Sequence, residues 1–319
     1  FMSPPEARRV VASENSDEIL KIENGPIRKP FSNEAVVKIS TVSLNRGELR
    51  RAQKASDGSL QIGWDFVGTV DAKAADGSGL EVGTRVVGFS TRMEGWSEYV
   101  SIPTEYIAPV PNGVSDAQAA TLPVAGLTAL HAVDEATSLL GRTALITGAT
   151  GGVGMYALQL AAIAGANAYA QIRRSEQKSF VKNLGDFPVI VTSSGNEFSD
   201  YTGFRLIVDG VSGPILANAI PALAPQGICV CYGVTDTPEI PIDIGNFMRI
   251  GLAKVMGFHL YAKSEASPPS DNLPRLLSLV ANGQLNCAIE REASWSEINR
   301  IAQDLIDRKF LGKAVLHID

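Results

Sequence analysis

The stretch Ala144-Leu-Ile-Thr-Gly-Ala-Thr-Gly-Gly-Val-Gly154, together with the apolar run 155–164, decides the fold of this chain. Residues 144–147 are typical of a short buried strand, and the apolar run is typical of a helix. Only small residues separate the two, and Ala149, Gly151 and Gly154 fall on the three positions of a dinucleotide-binding turn. Ala149 departs from the strict glycine pattern, so an ordinary strand–turn–helix corner is the alternative interpretation.

The residues of this turn have different physical tasks. Gly151 lacks a Cβ, so the backbone can approach a pyrophosphate closely, and Gly154 lets the helix pack tightly on the strand. The helix N-terminus directs free N–H groups and a positive dipole end at the phosphates. We therefore predict cofactor contacts at Ala149, Gly151, Gly152, Val153 and Gly154.

The residues after the next strand indicate which dinucleotide binds. Residues 167–172 are strand-like and complete a β-α-β unit of the expected length. Chains that bind NAD carry a carboxylate near this point, where it binds the ribose 2′-hydroxyl. This chain has Arg173, Arg174 and Ser175, followed by Lys178, and these cations suit a 2′-phosphate. We predict NADPH, with a solvated basic helix start as the alternative.

Length and composition exclude several classes of protein. The 319 residues suffice for two domains, and a net charge of −6 argues against nucleic acid as a main partner. Cys229 and Cys231 share one face of a predicted strand, which favours packing over a disulfide framework or a metal site. We find no apolar run long enough to span a bilayer and no signal peptide, and so expect a cytoplasmic protein.

Two parts of the chain differ in their pattern of predicted strands and helices. Residues 8–106 form short alternating segments broken by Gly, Pro and Asn, which predicts a β-rich, barrel-like domain with a helix at 45–51. From Ala144 to Tyr261, strands and helices alternate, which predicts a parallel sheet covered by helices on both faces. The predicted strands of this sheet are 144–147, 167–172, 189–192, 206–209, 227–232 and 255–259. Helices at 273–282 and 295–309 and a strand at 314–318 complete an α/β protein.

Motifs spread over nearly the whole chain carry a family resemblance. They are Ser43-Leu-Asn-Arg-Gly-Glu48, Gly63-Trp-Asp-Phe-Val-Gly68, Gly95-Trp-Ser-Glu-Tyr-Val100, Ala120-Thr-Leu-Pro-Val-Ala-Gly-Leu-Thr-Ala129, the glycine turn, Val208-Asp-Gly-Val211 and Gly312-Lys-Ala-Val-Leu316. With them the chain resembles the medium-chain dehydrogenase/reductase superfamily, and within it the zinc-independent quinone oxidoreductase (zeta-crystallin-like) branch. The resemblance implies a GroES-like substrate domain (1–121 and 262–319), a Rossmann NADPH-binding domain (122–261) and an active site in the cleft.

The residues at the positions of the family's metal ligands argue against a zinc site. Zinc-using relatives place a Cys in the segment equivalent to Ser43–Glu48, and a His-Glu pair where this chain has Trp64-Asp65. The first half of the chain contains no cysteine. Because thiolate and imidazole donors are missing, we expect no metal.

The resemblance also implies roles for single residues. Asn45 and Thr128 should lie near the nicotinamide, with Asn45 as a donor to the substrate; a turn-forming Asn and a capping or packing Thr are the alternatives. The loops after the fourth and fifth strands of the parallel sheet end at the edge where such folds bind ligands. Cofactor contacts are therefore expected at Asp209, Gly210, Val211, Tyr232, Gly233 and Val234. Tyr232 is also a candidate proton donor and Lys313 a candidate cofactor contact; a strand-end aromatic and a solvated lysine are the alternatives.

Without a Lewis acid, the expected reaction is reduction of an electron-poor acceptor. We expect hydride transfer from NADPH to a quinone or an α,β-unsaturated carbonyl, with hydrogen-bond donors stabilising the charge on oxygen. Many of these relatives carry a Tyr shortly after the Asn, whereas this chain reads Leu49-Arg-Arg-Ala-Gln53. No dedicated proton donor is therefore evident. An enoyl-thioester reductase and a non-catalytic NADPH-binding protein are the alternatives.

The resemblance finally implies a homodimer. An exposed apolar edge strand needs a partner, and the last strand of the parallel sheet, around residues 255–261, is expected to pair across a two-fold axis. A small-molecule substrate is the other expected partner, with neither nucleic acid nor membrane.

Overall fold

The computed structural model of this chain describes residues 6–15, 17–55, 58 and 60–319. The chain forms two compact units, a β-rich unit up to Leu127 and from Tyr261 onward, and a nucleotide-type unit from Thr128 to Leu260. The first junction thus follows Leu127, whereas the sequence places it after Thr121.

Most elements lie where the sequence pattern predicts them. The strands are β1 (Glu6–Ala12), β2 (Leu20–Pro26), β3 (Glu34–Ser43), β4 (Asp65–Ala72), β5 (Arg85–Phe89), β6 (Tyr99–Pro103), β7 (Ile107–Pro109), β8 (Thr143–Ile146), β9 (Asn167–Ile172), β10 (Val189–Val191), β11 (Phe204–Asp209), β12 (Leu223–Cys231), β13 (Lys254–Gly257), β14 (Ile289–Ser294) and β15 (Lys313–His317). The helices are α1 (Arg46–Gln53), α2 (Asp116–Ala120), α3 (Leu127–Asp134), α4 (Gly152–Ile163), α5 (Lys178–Leu184), α6 (Gly213–Ala219), α7 (Ile244–Ile250), α8 (Leu260–Ala266), α9 (Pro269–Ala281) and α10 (Ile298–Ile306).

The β-rich unit is built around β3. This strand is buried along almost its whole length because β4, β6 and β15 all pair with it in a seven-stranded sheet. The C-terminal strand β15 is antiparallel to β3, with Val315 opposite Ser43. The returning segment therefore completes the sheet begun by the first half of the chain, as the family resemblance implies.

The second unit contains a six-stranded sheet in the order β10-β9-β8-β11-β12-β13. Every pairing in it is parallel, so the carboxyl ends of the strands meet along one edge. This is the doubly wound arrangement predicted from the alternation of strands and helices. Cys229 and Cys231 share one face of β12, with their Sγ atoms 3.9 Å apart.

The structure departs from the sequence prediction around prolines. Residues 122–126, which include Pro123, form a π-helical turn that runs into α3 and that the sequence pattern does not indicate. Helix α9 begins at Pro269, earlier than predicted, because proline is well tolerated in the first turn of a helix. Among the described helices, none combines the length and the apolar content that crossing a membrane requires.

Gly154 fixes the packing of α4 on the glycine turn. A Cβ at this position would lie 2.3 Å from the carbonyl oxygen of Gly148, a distance that no backbone atom can tolerate. At Gly151 the nearest atom to an added Cβ is the same oxygen, at 3.4 Å. The protein therefore requires glycine at 154 but leaves room for a Cβ at 151.

Gly154→Ala is expected to lower the free energy of unfolding by about 1–3 kcal/mol, because the helix has to shift away from the turn. Gly151→Ala is the matched control and should cost at most about 1 kcal/mol, the effect of alanine at a helix N-cap. Urea denaturation of both variants measures the difference. Equal stability of the two variants would contradict the assignment of Gly154 as the packing glycine.

Candidate active site

The glycine turn is anchored to strand β9. The backbone N–H of Gly148 donates to Gln171 Oε1 (2.8 Å), and that of Ala149 to the Gln171 carbonyl (3.1 Å). Gly151, the N-cap of α4, is exposed. An exposed, side-chain-free residue at a helix N-terminus suits close approach by a phosphate, so this turn fits the pyrophosphate of a dinucleotide.

The basic segment after β9 is tied to the same turn. The backbone N–H groups of Arg173 and Arg174 both donate to Gln177 Oε1, at 3.0 and 3.1 Å. Gln177 Nε2 in turn donates to Thr150 Oγ1 at 3.3 Å. Both arginine side chains are exposed, as are Ser175 and Lys178. The backbone of the two arginines is therefore held beside the glycine turn, and their exposed cationic side chains suit a 2′-phosphate.

Asp209 ends strand β11 and holds the neighbouring loops. Its carboxylate accepts from Thr147 Oγ1 (2.6 Å) and from the Ser212 backbone N–H (2.9 Å). Burial raises the pKa of Asp209, although these two donors oppose the shift. The carboxylate oxygens therefore position the ends of β8 and β11. The backbone of Asp209 remains available for the predicted cofactor contact.

Tyr232 follows β12 and lies against Gly210. A Cβ at Gly210 would come within 2.2 Å of the Tyr232 hydroxyl oxygen, and the Tyr232 N–H donates to the Asp209 carbonyl at 2.9 Å. Burial and the nearby Asp209 raise the pKa of Tyr232. These surroundings favour a packing role, and the proton-donor role predicted for Tyr232 stays a prediction.

The remaining predicted contacts of this unit lie on four short segments. Thr128 is buried at the start of α3, and Gly152 and Val153 are half-buried in the first turn of α4. Three more follow β11 and β12 at the carboxyl edge of the sheet: Val211, Gly233 and Val234. Except for Thr128, the predicted residues of this unit follow the ends of β8, β9, β11 and β12, where doubly wound sheets bind ligands.

In the β-rich unit, Asn45 is the centre of a buried polar cluster. Its side-chain Nδ2 donates to Asp65 Oδ2 (2.8 Å) and Glu48 Oε2 (3.3 Å). Its Oδ1 accepts from Lys313 Nζ at 2.7 Å, and Lys313 also donates to the Leu44 carbonyl at 2.9 Å. The amide of Asn45 is therefore engaged on both sides, which leaves its predicted role as a substrate donor without direct support.

Lys313 is buried, so it is not the solvated lysine of the alternative interpretation, and its predicted cofactor contact stays a prediction. Its side chain is 2% exposed, and Asp65 Oδ2 lies 3.9 Å from its Nζ. Glu48 and Asp65 are fully buried, so two carboxyl groups share one ammonium. The positive charge of Lys313 is compensated inside the β-rich unit by these carboxyl groups.

The electrostatics of this cluster follow from its burial. Burial, and then the charge of Asp65, raise the pKa of Glu48 well above its usual range. Burial raises the pKa of Asp65 to about 6, although Lys313 and Asn45 oppose the shift. Burial lowers the pKa of Lys313, opposed by both carboxylates. The cluster therefore has one carboxyl group more than its single cation can neutralise.

Trp64 and Tyr261 extend this cluster toward the surface of the unit. The Trp64 backbone N–H donates to Glu48 Oε1 at 2.5 Å, and its indole Nε1 donates to the Tyr261 hydroxyl. Both rings are half-buried, and their centroids are 6.2 Å apart in an edge-to-face contact. No feature of the sequence marks Tyr261 as a neighbour of this cluster, and the sequence analysis missed it. Trp64 could have been found from its place in the Gly63–Gly68 motif.

Two family models match the chain. The one described as "Alcohol dehydrogenase GroES-like domain" matches residues 32–112, and the one described as "Zinc-binding dehydrogenase" matches residues 152–282. The chain belongs to the medium-chain dehydrogenase/reductase family. The relatives confirm the resemblance to its quinone oxidoreductase branch.

The relatives of this medium-chain dehydrogenase/reductase are distant in sequence. The Quinone oxidoreductase of Pseudomonas aeruginosa is 24% identical over 97% of this chain and 99% of its own length. The Acryloyl-coenzyme A reductase of Sulfurisphaera tokodaii is 23% identical over 93% of this chain and 96% of its own. A phenolphthiocerol/phthiocerol polyketide synthase of Mycobacterium tuberculosis is 26% identical over 91% of this chain, but the chain spans only 14% of that protein.

A solved structure supports the fold of this family member over its whole length. A mycobacterial protein solved in complex with NADPH superposes with a TM-score of 0.84 at 22% identity, covering 98% of this chain and 99% of its own. Within the described residues, no group of three or more His, Cys, Asp or Glu side chains has the arrangement to hold a metal ion.

Lys313→Met is expected to lower the free energy of unfolding by about 3–5 kcal/mol, because it leaves two buried carboxyl groups without their cation. Part of this loss should return when Asp65→Asn is added, since one unpaired charge is then removed. The loss should also shrink as the pH falls toward about 6, because without Lys313 the pKa of Asp65 rises still further and the carboxyl group takes up its proton at a higher pH than in the wild type.

Urea denaturation of the two single variants and the double variant between pH 5 and 8 measures this coupling. Lys309→Met is the matched control, because Lys309 is an exposed lysine paired with Asp304, and it should change stability by less than about 1 kcal/mol. An equal effect of the two lysine substitutions would contradict the buried charge network.

Proposed function

We propose that this chain is an NADPH-dependent reductase that transfers a hydride to a quinone or an α,β-unsaturated carbonyl without a metal, in the cytoplasm. The observation that carries the proposal is the link from the glycine turn through Thr150 and Gln177 to Arg173 and Arg174. This link holds the backbone that carries the two guanidinium groups beside a dinucleotide turn. The NADPH complex of the mycobacterial structure is a supporting precedent.

The chain's own residues bind and orient the cofactor in this proposal. The exposed Gly151 and the N-terminus of α4 hold the pyrophosphate, and Arg173 and Arg174 hold the 2′-phosphate. When bound, NADPH supplies the hydride. The loops after β11 and β12 would hold the nicotinamide half at the carboxyl edge of the sheet.

The donor chemistry of the β-rich unit supports an electron-poor acceptor. An indole N–H can only donate, so Trp64 cannot serve as a metal ligand, and the amide oxygen of Asn45 already accepts from Lys313. Neither Asn45 nor Trp64 therefore offers the thiolate or imidazole ligand that zinc requires. A quinone or enone suits such a site because its own carbonyl group accepts the negative charge that the hydride brings.

An enoyl-thioester reductase is the second candidate. The Acryloyl-coenzyme A reductase among the relatives favours it, and so do Arg50 and Arg51, which are exposed on α1 and could meet phosphate groups. A steady-state panel of quinones, enones and enoyl-coenzyme A thioesters with NADPH discriminates between the two. Tight NADPH binding without turnover of any acceptor would favour the non-catalytic alternative.

Arg173→Ala is expected to weaken NADPH binding by about 1.5–3 kcal/mol, the value of a hydrogen bond to a charged group, and to leave NADH binding almost unchanged. Titration of protein fluorescence with each cofactor measures the two affinities. Lys182→Ala, which removes an exposed cation from α5, is the control and should change neither. If both cofactors lose affinity equally in Arg173→Ala, the 2′-phosphate assignment is wrong.

We also propose that two copies of the chain pair through β13. This strand is the edge of the parallel sheet and pairs only with β12 within the described chain. Large apolar side chains around it are exposed: Ile244, Met248, Leu252 and Val255. An uncovered apolar edge of this kind is stabilised by a partner strand.

The double substitution Leu252→Glu and Val255→Lys is expected to convert the dimer into a monomer, because charges on an edge strand oppose pairing. Multi-angle light scattering measures the mass of wild type and variant. Phe31→Glu, which places a charge on an exposed aromatic of the β-rich unit, is the control and should leave the mass unchanged. A monomeric wild type would refute the proposal.

A further inference from the structure

We propose that Gln177 determines the preference of this chain for NADPH over NADH, because it holds the arginine segment with an uncharged acceptor. The inference rests on the cofactor proposed above and adds the residue that makes the arginine pair selective. Gln177 is a positioning residue that acts through Arg173 and Arg174 and contacts no phosphate itself. Gln177, both arginines and the glycine turn all belong to the nucleotide-type unit.

The hydrogen bonds of Gln177 fix the orientation of its side-chain amide. Oε1 accepts from the backbone N–H groups of Arg173 (3.0 Å) and Arg174 (3.1 Å). Because a backbone N–H can only donate, the atom that faces both groups has to be the amide oxygen. The amide nitrogen is then left to donate, and it meets Thr150 Oγ1 at 3.3 Å. One neutral side chain therefore joins the arginine segment to the glycine turn.

The place of Gln177 is one that a carboxylate fills equally well on backbone grounds. Arg174 is the N-cap of the short helical turn 175–177, and Gln177, at its third position, accepts from the Arg174 N–H. In a capping box this third position is held by Glu or by Gln. A glutamate would accept the same two N–H bonds more strongly, because its oxygens are charged. Hydrogen bonding to the backbone therefore gives no advantage to the neutral side chain.

The advantage of a neutral residue 177 lies in the charge beside the ligand. Three exposed cations lie on this segment, Arg173, Arg174 and Lys178, and Glu176 is the only carboxylate between them. A phosphate monoester carries close to two negative charges near pH 7. A carboxylate at residue 177 would offset part of the positive potential and repel that phosphate. NADH lacks the 2′-phosphate, so its binding should not depend on this charge.

The bond to Thr150 sets the spacing of the two phosphate-binding segments. Thr150 is buried and directly precedes Gly151, whose backbone N–H donates to the Gly148 carbonyl at 3.0 Å. Gln177 is thus anchored to an internally bonded turn rather than to a free loop. The backbone of the arginine segment is therefore held at a fixed distance from the pyrophosphate site before the ligand arrives. Preorganisation of this kind lowers the entropic cost of binding.

Gln177→Glu is expected to raise the Kd of NADPH about tenfold, the effect of one added charge near a doubly charged phosphate, and to leave the Kd of NADH unchanged. Fluorescence titration with each cofactor measures both constants. Ser179→Glu is the matched control, because it adds the same charge at an exposed position two residues further on, which does not share a helix face with residue 177. It should keep the wild-type ratio of the two constants.

Salt and a cofactor fragment separate the effect of charge from a loss of structure. The tenfold effect of Gln177→Glu should fall to about threefold or less in about 0.5 M NaCl, because salt screens charges near the surface. A distorted segment would instead weaken both cofactors at every salt concentration. Calorimetry with adenosine 2′,5′-bisphosphate and with adenosine 5′-monophosphate repeats the comparison without a nicotinamide. Gln177→Glu should weaken the binding of the bisphosphate only.

The outcomes distinguish this role of Gln177 from the proposed cofactor. A wild type that binds NADPH no more tightly than NADH would refute the cofactor itself. A wild-type preference for NADPH that Gln177→Glu leaves unchanged would refute the role of Gln177 alone. Gln177→Ala removes the same hydrogen bonds without adding charge, and it should raise the Kd of NADPH by no more than about threefold. A loss as large as that of Gln177→Glu would also refute the charge-based role.

Discussion

One buried ammonium organises the polar interior of the β-rich unit. Lys313 arrives on the last strand, and its Nζ meets the Leu44 carbonyl and the Asn45 amide from the first half of the chain. Burying a charge is costly unless its partners compensate, and here Asp65 and Glu48 supply the compensation. The cluster is therefore complete only when both sequence segments of the unit have folded together.

The influence of this charge extends to groups that Lys313 does not touch. Asn45 is held by Lys313 on its oxygen and by Asp65 on its nitrogen, and it caps α1 by donating its backbone N–H to Glu48 at 2.7 Å. The other oxygen of Glu48 fixes the backbone of Trp64, whose indole in turn fixes Tyr261. Connected buried networks of this kind specify a single arrangement more strongly than their separate bonds would.

The sequence predicts the local features of this chain well and the long-range ones poorly. The glycine turn can be recognised in the sequence because its motif depends only on spacing within one strand–turn–helix unit. The arginine pair can be recognised because it directly follows the next strand. Lys313 looks like an ordinary strand-start lysine, because its partner Asn45 is 268 positions away. Tyr261 escapes notice for the same reason, since 197 positions separate it from Trp64. No periodicity or motif encodes contacts of that range.

The two units use their polar groups in opposite ways, and this difference bears on the chemistry. In the nucleotide-type unit, uncharged or buried groups such as Gln171, Gln177 and Asp209 hold the backbone of the turns, which leaves exposed cations to meet an anionic ligand. In the β-rich unit the Lys313 ammonium is buried beside two carboxyl groups, and the rings of Trp64 and Tyr261 lie half-buried next to this cluster. These amide, indole and phenol groups can form hydrogen bonds, but they are not strong Lewis acids. This composition supports the proposed reduction of an acceptor that is already electron-poor, because an alcohol has to be activated before it gives up a hydride.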